Sequence, residues 1–440
     1  MRIAIVGAGV TGLAAAYDLS KNDHDVVIYD RAPFLGGQAS TFEINGARLE
    51  RGYHHLFQSD IDIIELMEEI DLGHKMRWID SKVGTLYDGK IYNFVTPIDL
   101  LKFKPLKFPD RIRLGLVTLI IQRIKNWRNL ESITAVDWLK KWVGQGAFEG
   151  FWGPMLRGKF GDNYYKEVGM AWIWGKIATR FSSRSSRFSR EQLGYPIGSF
   201  GEICDVLAEK IIQRSNHINL SSRVVEIRSE TTGGVELKIE TPNGNMVKES
   251  FDSVIVTTHS FMVKNIVPEF PIWYKTQLEK TKYLSAVLLI LLLDRPLSEV
   301  YWLNVADSEI PFVGVIEHTN LIPPKHYRNQ HIVYISNYLS REDPLFDLSH
   351  KELLQAYLPH IKKINADFKE SWIVKSHYQK INAAQPVIGT NYSDDILDHR
   401  TPLSGIYLAN TTQVYPQDRG TNYSVRLGRR VAGMVMDDLG

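Results

Sequence analysis

The chain has a single cysteine, Cys204, in 440 residues. That excludes a disulfide within the chain and any metal cluster built on several thiolates, and it suits a reducing cytosolic compartment. Long apolar runs are missing too: no stretch reaches the roughly 18 residues that a membrane-crossing helix needs. Charge of one sign is also lacking. With 52 Lys and Arg against 50 Asp and Glu, the formal net charge is +2, too small for a general nucleic-acid binder. No Ser–His–Asp arrangement follows from spacing. No metal site is expected either, because the neighbours His54 and His55 would rarely point at one ion and no acidic helper is suitably spaced. Arg2 ahead of an apolar run imitates a signal peptide, but glycines interrupt the run at once and a helix–strand pattern follows. What remains is a globular composition, 44% hydrophobic and 23% charged, long enough for two domains.

What is present starts at the first residue. Met1 to Val6 reads as a short buried strand, followed by Gly7-Ala8-Gly9-Val10-Thr11-Gly12 and a helical pattern over Leu13 to Ser20. A second apolar strand, Val26 to Tyr29, ends on Asp30, 18 residues after Gly12. Each residue type has a mechanical job. Gly7 permits the tight turn, Gly9 lets the backbone approach a pyrophosphate, and Gly12 lets helix and strand pack closely. The helix start offers free N–H groups and partial positive charge to phosphates. Asp30 can accept hydrogen bonds from ribose hydroxyls, which favours a ribose without a 2′-phosphate. The order of strand, glycines, helix, strand and acid predicts a dinucleotide site.

Asp30-Arg31 is followed by a second glycine pair in Gly36-Gly37-Gln38-Ala39, which a plain NAD domain does not need. This resembles the FAD-binding motif of the amine oxidase, protoporphyrinogen oxidase and phytoene desaturase superfamily. There, an acid and a glycine pair line the pyrophosphate and ribityl chain. Gln38 stands where the family usually has arginine. The resemblance extends along the chain. It includes Trp152-Gly153-Pro154-Met155-Leu156 with Lys159-Phe160-Gly161, and the stretch Gly420 to Gly428, similar to the closing helix whose start faces the flavin. It implies contacts from Thr421, Asn422 and Val425 at that helix, from the backbone at Val224 and Val225 to the adenine, and from Asn410. Asn410-Thr411 replaces the family's usual Gly-Asp, whose acid holds a ribityl hydroxyl. Glu50-Arg51-Gly52-Tyr53-His54-His55 resembles the acid-x-Gly-x-His loop beside the isoalloxazine ring. Gly52, Tyr53 and His54 would approach the cofactor, and His54 or His55 would move protons near neutral pH or serve as structural histidines.

The implied fold is α/β: a discontinuous Rossmann-like FAD-binding domain from residues 1–81, 195–280 and 396–440, interleaved with a substrate domain. The latter comprises a helical, substrate- or membrane-facing region over 82–194 and a sheet over 281–395. The implied cofactor is FAD. The implied activity is hydride removal from a lipophilic small molecule such as an isoprenoid or tetrapyrrole. A non-redox isomerase resembling UDP-galactopyranose mutase and a non-catalytic flavin- or lipid-binding subunit are the rival readings. No lysine stands out as the flavin-proximal base that some amine oxidases carry.

Three further stretches carry candidates. Residues 98–128 hold eight Lys and Arg against Asp99 and Asp110, around the apolar run Ile112 to Ile121. They read either as an interfacial anchor on the inner face of a membrane or as a core helix with a basic rim. Lys176, Arg180, Arg184, Arg187 and Arg190 would share a helix face and clamp a phosphate, or form a solvated surface. Glu317-His318-Thr319-Asn320 ends an otherwise buried strand, which makes Glu317 and His318 candidates for the substrate pocket; a simple strand end explains them as well.

Overall fold

The computed structural model describes residues 1–94, 96–182, 191–231 and 233–439. A parallel five-stranded sheet runs Ile406–Leu408, Ser253–Val256, Arg2–Val6, Asp25–Tyr29, His217–Asn219. Its strands come from three widely separated stretches. Ile3 to Val6 and Val254 to Val256 are all buried, because layers cover both faces and parallel strands then read as unbroken apolar runs. On one side the helix Val10–Lys21 packs against the closing helix Thr421–Leu439. Gly428 is the contact point: a Cβ there would collide with the carbonyl oxygen of Thr11 and lie 3.0 Å from Ala14. On the other side sits a three-stranded antiparallel sheet, Arg223–Ser229, Val235–Glu240 and Met246–Phe251. Its last strand follows the turn at Pro242-Asn243-Gly244. Met246–Phe251 is an exposed edge strand, so its polar pattern carries little signal of burial.

The second sheet has seven strands in the order Ile373–Pro386, Tyr283–Leu293, His331–Leu339, Gly314–Glu317, Trp302–Val305, Val83–Tyr87, Lys90–Asn93. Tyr283–Leu293 is apolar on both faces for a reason. Ala286, Leu288, Ile290 and Leu292 enter the core shared with the nucleotide domain, while Val287, Leu289, Leu291 and Leu293 face the helix His350–Ile361. Residues 83–93 therefore belong to a sheet rather than to a helical region, and Gln192–Pro196 pairs antiparallel with Met76–Asp80. The helices lie between, chiefly Phe108–Arg123, Ala135–Val143, Gly153–Tyr164 and Met170–Ser182, around a core of their own that includes Phe103, Leu114, Val117, Phe148 and Trp172. Among the described residues no helix is long and apolar enough to cross a membrane.

Candidate active site

The nucleotide cradle forms where the two glycine motifs meet at the carboxyl edge of the parallel sheet. Gly9 and Gly36 make an isolated parallel bridge, and Gly36 N–H donates to Ala8 C=O at 2.8 Å. Gly37 has φ +57°, and a Cβ on it would lie 3.2 Å from Gly9 Cα, so both positions favour the smallest residue. Asp30 ties the turn together, accepting from Ala8 N–H at 2.7 Å and Ala32 N–H at 2.8 Å. Two of a carboxylate's roughly four acceptor sites stay open for a ribose. Ala8 is enclosed, with its N–H and C=O both used, so it shapes the cradle without offering surface to a ligand. The helix beginning at Val10 has no side-chain cap and no acid in its first turn. The N–H groups of Val10, Thr11 and Gly12 thus need an outside acceptor, as a phosphate would supply. Arg31 is exposed at the rim, and Val225 is skipped where the ladder shifts register between Val224 and Glu226.

The loop after Glu50 closes the far end. His54 Nδ1 contacts Gly52 O at 2.7 Å, and His55 Nδ1 contacts the Tyr301 hydroxyl at 3.1 Å. Tyr53, His55, Tyr301 and Trp302 meet edge to face, forming an aromatic wall. Burial pulls His54 down to about 4, with Arg419 adding to the shift; it pulls His55 down to about 3, helped by Arg180, His54 and Lys176. Both imidazoles are therefore neutral at pH 7. Glu50 is completely buried and accepts from Tyr195 Oη–H at 2.9 Å and Phe200 N–H at 2.9 Å, while its own carbonyl accepts from Tyr334 Oη–H at 2.7 Å. Burial lifts its carboxyl to about 7, against the pull of those hydrogen bonds.

Residues 10–435 match the family described as flavin containing amine oxidoreductase. The chain belongs to that family. Its cofactor is FAD. Relatives of the amine oxidoreductase chain include the zeta-carotene desaturase of Synechocystis sp., 26% identical over 306 residues, covering 61% of this chain and 60% of the desaturase. The mitochondrial protoporphyrinogen oxidase of Nicotiana tabacum is 22% identical over 302 residues, covering 60% of this chain and 59% of that oxidase. Each match therefore spans less than two thirds of the relative's own length. The crystal structure of a protoporphyrinogen oxidase-like protein from Exiguobacterium sp. 255-15 shares the fold, with TM-score 0.78, 20% identity and 99% of both chains covered.

The amine oxidoreductase's closing helix supplies a further test of cofactor fit. Asn422 is buried, with Oδ1 accepting from Ile63 N–H at 3.1 Å and Nδ2 left without a partner. The Thr258 hydroxyl, past the end of Ser253–Val256, is also buried and unpartnered. Such atoms suit a polar ligand. The half-exposed glycines, the uncapped helix and these orphan groups fit FAD. Two expected contacts change character. Val425 is wholly enclosed in the core, so it can brace the helix without presenting surface. The Asn410 side chain is spent on Thr412 N–H at 3.0 Å and Thr258 C=O at 2.9 Å, holding its own turn.

Gln38 is bound across the domain boundary. Its Nε2 donates to Ala383 O at 2.8 Å, and its Oε1 accepts from Arg419 Nη1 at 3.3 Å. A guanidinium thus does stand beside this position, delivered from the other end of the chain. Ala39 is buried behind it. Glu317 and His318 lie within the fold: Glu317 accepts from Leu297 N–H at 3.0 Å and Ser298 N–H at 2.6 Å, and His318 Nε2 meets the Tyr327 hydroxyl at 2.7 Å. These contacts describe an anchored turn. Lys176 is half-buried, and its ammonium pairs with Asp418. Arg184, Arg187 and Arg190 lie outside the described residues. Sequence reasoning missed Asp418, Arg419, Tyr338 and Trp302. The one available signal was an Asp-Arg pair placed just before the closing helix.

Proposed function

We propose that the protein is an FAD-dependent oxidoreductase that takes hydride from a C–H bond of a lipophilic substrate. The observation that carries this reading is the aromatic wall of Tyr53, His55, Tyr301 and Trp302, joined through the Glu50–His55 loop to the nucleotide domain. Bound FAD supplies the hydride-accepting ring. The chain's own residues bind and exclude water. Gly9, Gly36 and Gly37 admit the pyrophosphate, and the N-termini of the Val10 and Thr421 helices offer positive partial charge. Neutral His54 and His55 are positioned by Gly52 O and Tyr301, and serve as hydrogen-bonding wall groups rather than as proton donors at pH 7. The names of the carotene desaturase and protoporphyrinogen oxidase relatives support a lipophilic substrate. Anaerobic mixing with candidate isoprenoids and tetrapyrroles tests the reading: one of them should bleach the bound flavin stoichiometrically. Turnover only with pre-reduced flavin would instead indicate the mutase-like isomerase.

A second reading concerns residues 98–128. Leu114, Val117 and Ile121 fill the helical core, whereas Ile98, Phe108, Ile112, Leu116, Leu119 and Ile120 are exposed beside the basic residues. The segment is both a core helix and an exposed apolar face. Its charge complements an anionic bilayer surface, from which a lipophilic substrate would be drawn. Sedimentation with anionic liposomes at low salt should carry the protein down; failure to do so overturns this docking.

A further inference from the structure

Two ammonium groups converge on one carboxylate between the helical region and the closing helix, with a guanidinium beside it. Asp418 Oδ2 accepts from Lys159 Nζ and Lys176 Nζ, each at 2.8 Å, and its Oδ1 accepts from Gln385 Nε2 at 3.1 Å. The neighbouring Arg419 spends its guanidinium on neutral acceptors: Gln38 Oε1 at 3.3 Å, Gln385 Oε1 at 3.2 Å and the Tyr338 hydroxyl at 3.4 Å. Both ammonium groups lie 4.9 Å from the Trp172 ring centroid, which orients them without neutralising their charge. Burial alone would raise Asp418, yet Lys159, Lys176 and Arg419 hold it well below the usual carboxylate range. The carboxylate is therefore fully charged, and still outnumbered.

The imbalance is only partly buried. Lys159 and Lys176 retain 21% and 35% of their side-chain surface. The remaining surface is accessible to a ligand. The cluster stands beside the loop that carries Tyr53, His54 and His55. Tyr338 links the two, its hydroxyl 3.4 Å from that of Tyr53 and within reach of Arg419. A purely structural ion pair needs one cation per carboxylate. Surplus cations partly withdrawn from water are costly unless an anion joins them.

We propose that Lys159, Lys176 and Arg419 form an oxyanion-recognition site in the substrate chamber, and that the lipophilic substrate carries a carboxylate or phosphate group bound there. This rests on the oxidoreductase reading, which makes the chamber the substrate's place. The apolar body would lie along the aromatic wall, and the acidic end would be fixed by charge-assisted hydrogen bonds.

The test is calorimetric titration of the FAD-loaded, full-length protein with farnesyl phosphate, farnesoic acid and neutral farnesol. At least one acidic probe should bind about tenfold or more tightly than farnesol, and the stronger of the two identifies the oxyanion. Lys159→Met and Lys176→Met should each erode that preference while leaving farnesol binding in place. Asp418→Asn should raise affinity for the acidic probe several-fold, because the cations lose their internal partner; a structural cluster would show no such gain. Equal binding of all three probes, binding of none, or a preference that survives both lysine variants overturns the inference. Flavin absorbance of the same samples separates the two levels. Bound FAD without anion preference defeats this inference alone, whereas absence of flavin from every preparation defeats the oxidoreductase reading beneath it.

Discussion

Glu50 and Asp418 are both carboxylates enclosed by the protein beside the proposed chamber, and they are held in opposite states. Glu50 meets only neutral donors, the Tyr195 hydroxyl and the Phe200 amide, and burial lifts it to about 7. Asp418 meets two ammonium groups with a guanidinium next door and stays well below its ordinary value. Burial penalises charge in both, so the difference is made by the partners. One site supports a loop through neutral hydrogen bonds, at an electrostatic cost that grows as pH rises towards 7. The other holds a charged carboxylate between two ammonium groups.

The largest expected effect comes from removing the charged member. Asp418→Asn leaves Lys159 and Lys176 without a counter-ion, which for a buried pair costs about 3 kcal/mol, reduced here because the chamber is partly open to solvent. Chemical denaturation at pH 7 should show a loss of that order without bound anion. Glu50→Gln should behave differently. The folded value of Glu50 is raised from 4.5 to about 7, so wild type is favoured below pH 4.5 and loses stability as pH rises towards 7. The full difference is about 3 kcal/mol. The variant should therefore gain on wild type between pH 5 and 8, and a constant offset across that range would remove Glu50 from the comparison. His55 supplies the opposite slope. Its folded value is lowered from 6.5 to about 3, so its contribution is present above pH 6.5 and is lost as pH falls towards 3. His55→Gln should flatten acid destabilisation between pH 6.5 and 4, read as melting temperature against pH. The smallest effect on stability belongs to Phe108→Ser with Leu116→Ser on the exposed face. It should change stability by only about 0.5 kcal/mol while releasing the protein from anionic liposomes.

The two regions were not equally legible. Gly7, Gly9, Gly12 and Asp30 act within one strand–turn–helix–strand unit, and short-range order is enough to read them. Gly36 and Gly37 were legible for the same reason, although their contact with Gly9 is tertiary. The strands over 83–93 were obscured by their basic, aromatic surroundings, and they take their place by pairing with Trp302–Val305. For Lys176 the spacing left a phosphate clamp and a solvated surface both open. The helix Met170–Ser182 turns it inward onto a carboxylate more than two hundred residues away. Gln38 read as a lost positive charge until Arg419 was found beside it.

The order of apolar periods, glycines and a terminal acid was enough to decide the nucleotide fold and its flavin family. Those features act through backbone geometry over a few residues, where the chain has little choice. The states of Glu50, Asp418, His54 and His55 could be settled only by the folded protein. A side chain's charge depends on how much water is excluded and which ions stand within a few ångströms, and no spacing along the chain specifies either.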